Sequence, residues 1–204
     1  MDILLSILIG VSLAAACGFR VFVPMLVLCI AVRAGAVNLN PSLAFLASTP
    51  ALICFSVATI AEILAYKIPW VDNALDSIAS PAAVVAGTLA MASQFTFTGT
   101  NGDLMKWGIA AIVGGGAAGV VQATTVVGRG VSTMFTGGIG NPIFATVESG
   151  TSVVLSVLAV VVPVVAFVML ACILTLAIVF VLRWRARRAE AHRLVPVMSS
   201  VTTT

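Results

Sequence analysis

Six stretches of this sequence, at about 3–17, 20–35, 50–66, 81–96, 106–128 and 152–182, are dominated by Leu, Ile, Val, Ala and Gly and carry few charges. Runs of that length and polarity can satisfy their backbone only as helices, buried in a membrane or in the core of a large protein. A chain of 204 residues, 61% hydrophobic and 8% charged, has too little polar surface to wrap six such helices in water. The expected fold is therefore all-α: a polytopic transmembrane helix bundle of about six helices, filling one domain over 1–182. Residues 183–204 then form a basic cytoplasmic tail, disordered toward its end.

The first two runs fall at or below the ~17 residues needed to cross a ~30 Å hydrocarbon core. A single helical hairpin broken at Gly18 and Pro24, which would leave five spans, is the alternative for this region. The last run is overlong and contains Pro163, which predicts tilt or a kink.

The net charge of +3 is concentrated in Arg183, Arg185, Arg187, Arg188 and Arg193. A basic run directly after a span reads as a cytoplasmic stop and headgroup anchor, so membrane lipids are expected partners and nucleic acid is not. With that tail in the cytoplasm, six spans place the N-terminus, Arg33 and Lys106 inside and Arg20, Lys67 and Arg129 outside. Trp70, Trp107 and Trp184 fall at the predicted interfaces. The N-terminal run has Asp2 and no basic residue before it, and a second run follows at once. A retained first helix fits this better than a cleaved signal. The predicted location is a multi-pass protein of a bacterial inner membrane, with both termini cytoplasmic.

Chemistry in such a chain concentrates where polar groups interrupt apolar sequence, because each must find a partner within the protein. The densest interruption is 62–81, from Glu62 to Pro81. Glu62 lies well inside a helix expected to start at Pro50 with Ser48 or Thr49 as its cap. It is either a cation or proton site or a carboxylate neutralised by Arg20, Arg129 or Lys67. Asp72, Asn73 and Asp76 share one face of a short segment whose other face holds Val71, Leu75 and Ile78, which reads as a short amphipathic helix lying at the interface or dipping into the bundle. That acidic face either coordinates a cation or is merely solvated. Arg20 interrupts a hydrophobic hairpin and can bind an anionic group or pair with Glu62 or Glu148.

Cys17, Cys29, Cys54 and Cys172 lie in apolar runs without CxxC spacing and read as small hydrophobes. The single histidine, His192, sits in the tail. Neither a metal centre nor a cofactor is expected, and without a hydrolase or metalloprotease motif the chain is not expected to be an enzyme. Gly114, Gly115, Gly116 and Gly119 form a small-residue face suited to close helix packing. The segment from Gly128 to Asn141 reads as a flexible external loop.

Asn40-Pro41 and Asn141-Pro142 each follow a glycine-containing loop and lead into a helix carrying Ser-Val, at 56–57 and 156–157. With six spans the two lie on opposite sides of the membrane, which suggests an inverted 3+3 repeat. Asn-Pro is also ordinary turn chemistry. The paired loops resemble the aquaporin plan, although Ser42 and Ile143 stand where that family has alanine, and no arginine closely follows Asn141.

Four blocks, Ala-Ala-Cys-Gly-Phe-Arg-Val-Phe-Val-Pro (15–24), Ile-Pro-Trp-Val-Asp-Asn-Ala-Leu-Asp (68–76), Ser-Pro-Ala-Ala-Val-Val-Ala-Gly-Thr (80–88) and Gly-Gly-Ile-Gly-Asn-Pro (137–142), resemble a bacterial membrane family, the domain of unknown function numbered 4126. The resemblance implies an integral membrane protein and no particular substrate.

Two functions fit these features. The first is a small transporter or channel for an ion or small solute, with Glu62, Arg20, Asp72, Asn73, Asp76, Arg129, Asn141 and Glu148 as candidate binding residues. The second is a lipid-handling or membrane-organising protein that conducts nothing; a homo-oligomer fits either. A polar cavity reaching Glu62 from both sides would favour transport, and a lateral opening toward lipid near Asp72 would favour lipid handling.

Overall fold

The computed structural model describes residues 3–68, 71–96, 101–176, 178–179 and 182–183, without the side chains of Asp72 and Asn73. The chain forms two compact units, Met1–Leu170 and Ala171–Thr204. In the second unit the described residues are helical. Of the basic tail read from 183 onward, Arg183 is described, and Trp184 and the arginines beyond it lie outside the described residues, as does Trp70.

The first unit contains α1 (Ile3–Cys17), α2 (Phe22–Arg33), a 3-10 turn (Pro41–Ala47), α3 (Thr49–Ala65), α4 (Val71–Ala92), α5 (Gly102–Ile109), a π segment (Ala110–Gly115), α6 (Gly116–Thr136) and α7 (Asn141–Val161). A helix α8, Pro163–Leu176, follows a break at Val162. The break sits where Pro163 supplies no N–H. Among the described residues, three stretches are long and apolar enough to cross a membrane: Ala74–Ala92, Gly102–Thr136 and Asn141–Val161. The 3-10 turn and α3, bent by 62°, make a fourth if counted together.

Local chemistry explains most of the boundaries. Ser48 caps α3, its side chain accepting from the Ala51 N–H at 3.2 Å, with Pro50 in the first turn. The Asn40 side chain accepts from the Ser42 N–H at 2.9 Å and starts the 3-10 turn. Gly137, at φ +62°, ends α6 in the left-handed conformation that glycine adopts without steric cost.

α1 and α2 form a helical hairpin. Gly10 faces Met91 and Gln94, and Gly87 faces Ala14, so α1 runs antiparallel to α4. α2 runs back along α4, from Val21 and Phe22 beside Ile78 and Pro81 to Met25 near Leu89, and Asn40 then donates its N–H to the Ser93 carbonyl at 2.9 Å. The tip at 18–21 therefore lies level with the middle of α4. At 15 and 12 residues, α1 and α2 measure about 22 and 18 Å, short of a ~30 Å core. α1 is nonetheless the axis of the unit, with Leu13 through Cys17 fully buried among α4, α6 and α7. α3 runs antiparallel to α2, α6 to α4, and α7 to α1.

Three local expectations are corrected. Residues 71–80 are not a separate interfacial helix: they are the first turns of α4, which continues through Pro81. Proline removes one N–H and frees the Ser77 carbonyl, but the helix holds because its first half is anchored by Asp76 to buried partners described below. The 128–141 segment is not a loop. α6 runs to Thr136, and only 137–140 turn before α7 starts at Asn141. Arg20 and Arg129 do not lie in external loops; each is 1% exposed inside the bundle, held there by carboxylates.

The glycine-rich face packs as its small residues suggest. A Cβ on Gly114 would stand 2.5 Å from the Gly87 carbonyl oxygen, and one on Gly87 would stand 2.8 Å from the Gly114 carbonyl oxygen, so α4 and the π segment touch backbone to backbone. Gly119, by contrast, would meet only Val84 at 3.4 Å. Gly87→Val or Gly114→Val should cost about 1–3 kcal/mol or more through overpacking, while Gly119→Ala leaves stability unchanged. Thermal unfolding of the purified variants in detergent measures both.

Candidate functional site

A hairpin whose tip ends inside a bundle exposes the N–H groups that begin one helix and the carbonyls that end another, with no water to satisfy them. Here the tip is met from three sides. The Glu62 carboxylate, on the last turn of α3, accepts from the Val21 N–H at 2.7 Å and the Phe22 N–H at 3.1 Å. It caps α2 in place of a side chain at Val21, which cannot do so, and puts negative charge at the positive end of the helix. The Ser152 hydroxyl donates to the Ala16 carbonyl at 3.1 Å. Backbone N–H groups of Gly18, Phe19 and Arg20 turn back on Ala15 and Ala16.

Arg20 leaves the tip toward α7. Its Nε donates to Ser149 Oγ at 2.9 Å, its Nη2 donates to the Ala145 carbonyl at 2.8 Å, and Nη2 lies 3.5 Å from Glu148 Oε2. Arg129, on α6, holds Glu148 by one hydrogen bond, Nε to Oε1 at 3.2 Å, and by an ion-pair contact between Nη2 and Oε2 at 2.9 Å. Its Nη1 meets Asp76 Oδ1 at 2.5 Å. Tyr66, just past α3, donates its hydroxyl to Asp76 Oδ1 at 3.2 Å and lies between the two guanidiniums, whose Cζ atoms stand 3.9 Å and 4.6 Å from its ring centroid. Arg129 thus ties α4 to α7 from α6, and Tyr66 brings α3 to the same place.

Of the residues picked from sequence, the fold brings together Glu62, Arg20, Asp76, Arg129 and Glu148. The side chains of Asp72 and Asn73 lie outside the described residues. Asn141 stands apart from the cluster: its side-chain amide pairs with Thr133 Oγ1 at 3.0 Å, and Thr133 donates to the Arg129 carbonyl at 3.0 Å. Lys67 is exposed. Glu62 forms no ion pair with Arg20, Arg129 or Lys67; the guanidiniums are engaged by Glu148 and Asp76. Tyr66 was not among the candidates, although the only tyrosine in the chain, four residues after an intramembrane acid, is a usable signal.

Two apolar clefts border this place. One, of about 370 Å³, is lined by Glu62, Tyr66, Val21, Phe22, Leu75 and Ala82 among others. The second, of about 400 Å³, shares Val21, Phe22, Ile78 and Ala82 with the first and continues past Met25 toward Leu89. They exist because α3 packs on α2 and makes almost no described contact with α4.

Removing Arg129 would leave Glu148 and Asp76 buried without their main counter-charge. Arg129→Met should therefore destabilise the protein by about 3–5 kcal/mol. Arg129→Lys should recover only part of that, because a single ammonium cannot bond Glu148 and Asp76 as the Nε and Nη1 of the guanidinium do. Denaturation midpoints of the two variants in one detergent check the order.

The model of a protein family described as a domain of unknown function (DUF4126) matches residues 7–183. The chain belongs to that family. No curated protein and no solved structure matches it.

Proposed function

Taking the chain as a DUF4126 member with apolar helices of spanning length, we propose that it is a small transporter for an ion or small solute, with Glu62 as its exchangeable centre. The observation that carries this reading is the position of Glu62. It is 9% exposed, sits at the tip of a helical hairpin, and has backbone N–H groups as its bonded partners while neighbouring carboxylates take the guanidiniums. Half-helix ends meeting inside a bundle are where secondary transporters hold substrates and coupling ions. A carboxylate capping such an end can take up a proton or monovalent cation and so loosen α2. With the nearby guanidiniums ion-paired to Glu148 and Asp76, Glu62 is the buried acid of the cluster left to take such a ligand. The inverted relation between the two Asn-Pro segments belongs to the same reading: Asn40 lies beside Ser93 at one end of α4, and Asn141 at the other end of the bundle, beyond Arg129. Positive-inside counting then puts Arg33 and Lys106 on the cytoplasmic face.

A second reading, lipid handling without transport, is favoured by the clefts beside Glu62, whose apolar walls open sideways between α3 and α4. Proteoliposomes loaded with a pH-sensitive dye and placed under proton, sodium or potassium gradients separate the two. Transport predicts flux in the wild type and none in Glu62→Gln of unchanged unfolding temperature. Equal flux in both removes Glu62 from the path. No flux under any gradient, with Ala82→Trp changing which lipids co-purify, supports the second reading.

A further inference from the structure

At the end of the bundle away from the charge cluster, the first turn of α1, the linker after α2 and the residues just past α4 enclose a cavity of about 260 Å³. Its lining includes Ile3, Ser6, Asn38, Asn40, Gln94 and Phe95. The linker is pinned to α4 by Asn40, whose side-chain amide donates to the Phe95 carbonyl.

Gln94 is 9% exposed, and its neighbours decide which way its amide points. The Ser93 hydroxyl donates its single proton to the Ala90 carbonyl at 2.7 Å. Toward Gln94 Nε2, 2.8 Å away, Ser93 can therefore only accept. Gln94 must donate through Nε2, and its Oε1 is left as a buried acceptor with no donor among the described residues. Buried acceptors are costly to leave unsatisfied. A single water needs only ~10–15 Å³ of such space, and this cavity is many times larger.

The chemistry of a fitting ligand follows from the surroundings. The described lining carries no charged side chain. The Lys106 ammonium lies two hydrogen bonds away, donating to Ser42 Oγ at 2.9 Å, which in turn donates to Asn40 Oδ1 at 2.7 Å. Asp103, 2.8 Å from that ammonium, neutralises it, so the site offers a counter-charge to neither cation nor anion, and the buried acceptor calls for a donor. A neutral donor remains, with Ile3 and Phe95 offering apolar surface beside it.

We propose that this cavity binds a neutral hydroxyl-bearing group that donates to Gln94 Oε1, either the glycerol or sugar head of a lipid or a free polyol. The site is independent of the transport reading, since it shares no residue with the Glu62 cluster.

The experiment uses the full chain in phosphatidylcholine nanodiscs and native mass spectrometry, with monoacylglycerol compared against its di-O-methyl ether. Wild type should hold the hydroxyl form roughly tenfold more tightly. That preference should vanish in Gln94→Met, which keeps the side-chain length and loses the acceptor. Displacement of the lipid by free glycerol or galactose assigns the site to soluble polyols; retention assigns it to a lipid head. Equal binding of alcohol and ether by the wild type means a water-filled cavity only and overturns the proposal. So does a hydroxyl preference that persists in folded Gln94→Met. Should that variant not fold, the wild-type comparison still decides.

Discussion

The buried tip of the α1–α2 hairpin is the constraint on which the rest of this unit depends. Two half-length helices end in the middle of an apolar bundle, and their unpaired N–H and carbonyl groups have no solvent to turn to. Helices α3 and α7 therefore contribute polar residues at the level of the tip: Glu62 to the start of α2, Ser152 to the end of α1, and Ser149 and Glu148 to Arg20. What reads in sequence as scattered polar interruptions is one assembly in space.

That assembly has a hierarchy. Arg129 reaches two carboxylates from two other helices, so it holds α4, α6 and α7 in register, and α4 can pass through Pro81 because Asp76 fixes the turns before it. Glu62 stands outside this ion-pair core. The ion pairs around Arg129 are hard to open, because parting them in low dielectric strands a charge; Glu62 is held instead by backbone N–H groups. The ion-paired residues and the carboxylate that caps the hairpin are thus different members of one cluster.

Much of this was legible in the chain. Ser48 before Pro50, the break at Pro163, the small-residue face and the membrane-like hydropathy follow from rules that act within a few residues, and the structure has each of them. Glu62, Arg20, Asp76, Arg129 and Glu148 stood out because ionisable groups are rare in apolar runs. Their pairing did not, since Arg20 and Glu148 are 128 positions apart and only the antiparallel register of α1 and α7 brings them together. The continuity of α4 was hidden because Ser80-Pro81 carries a local stop signal that tertiary anchoring at Asp76 overrides. The glycines after Gly128 read as loop for a similar reason: Gly128 lies against Phe144 of α7 while still inside a helix.

The most direct test of this account is amide hydrogen exchange at Val21 and Phe22, followed by NMR or by mass spectrometry in nanodiscs, in wild type and Glu62→Ala. With α2 capped at a buried tip, both amides exchange as slowly in the wild type as those of the α1 core, and at least tenfold faster once the cap is removed. Fast exchange in the wild type, or rates indifferent to Glu62, would place the tip in water and contradict the central claim.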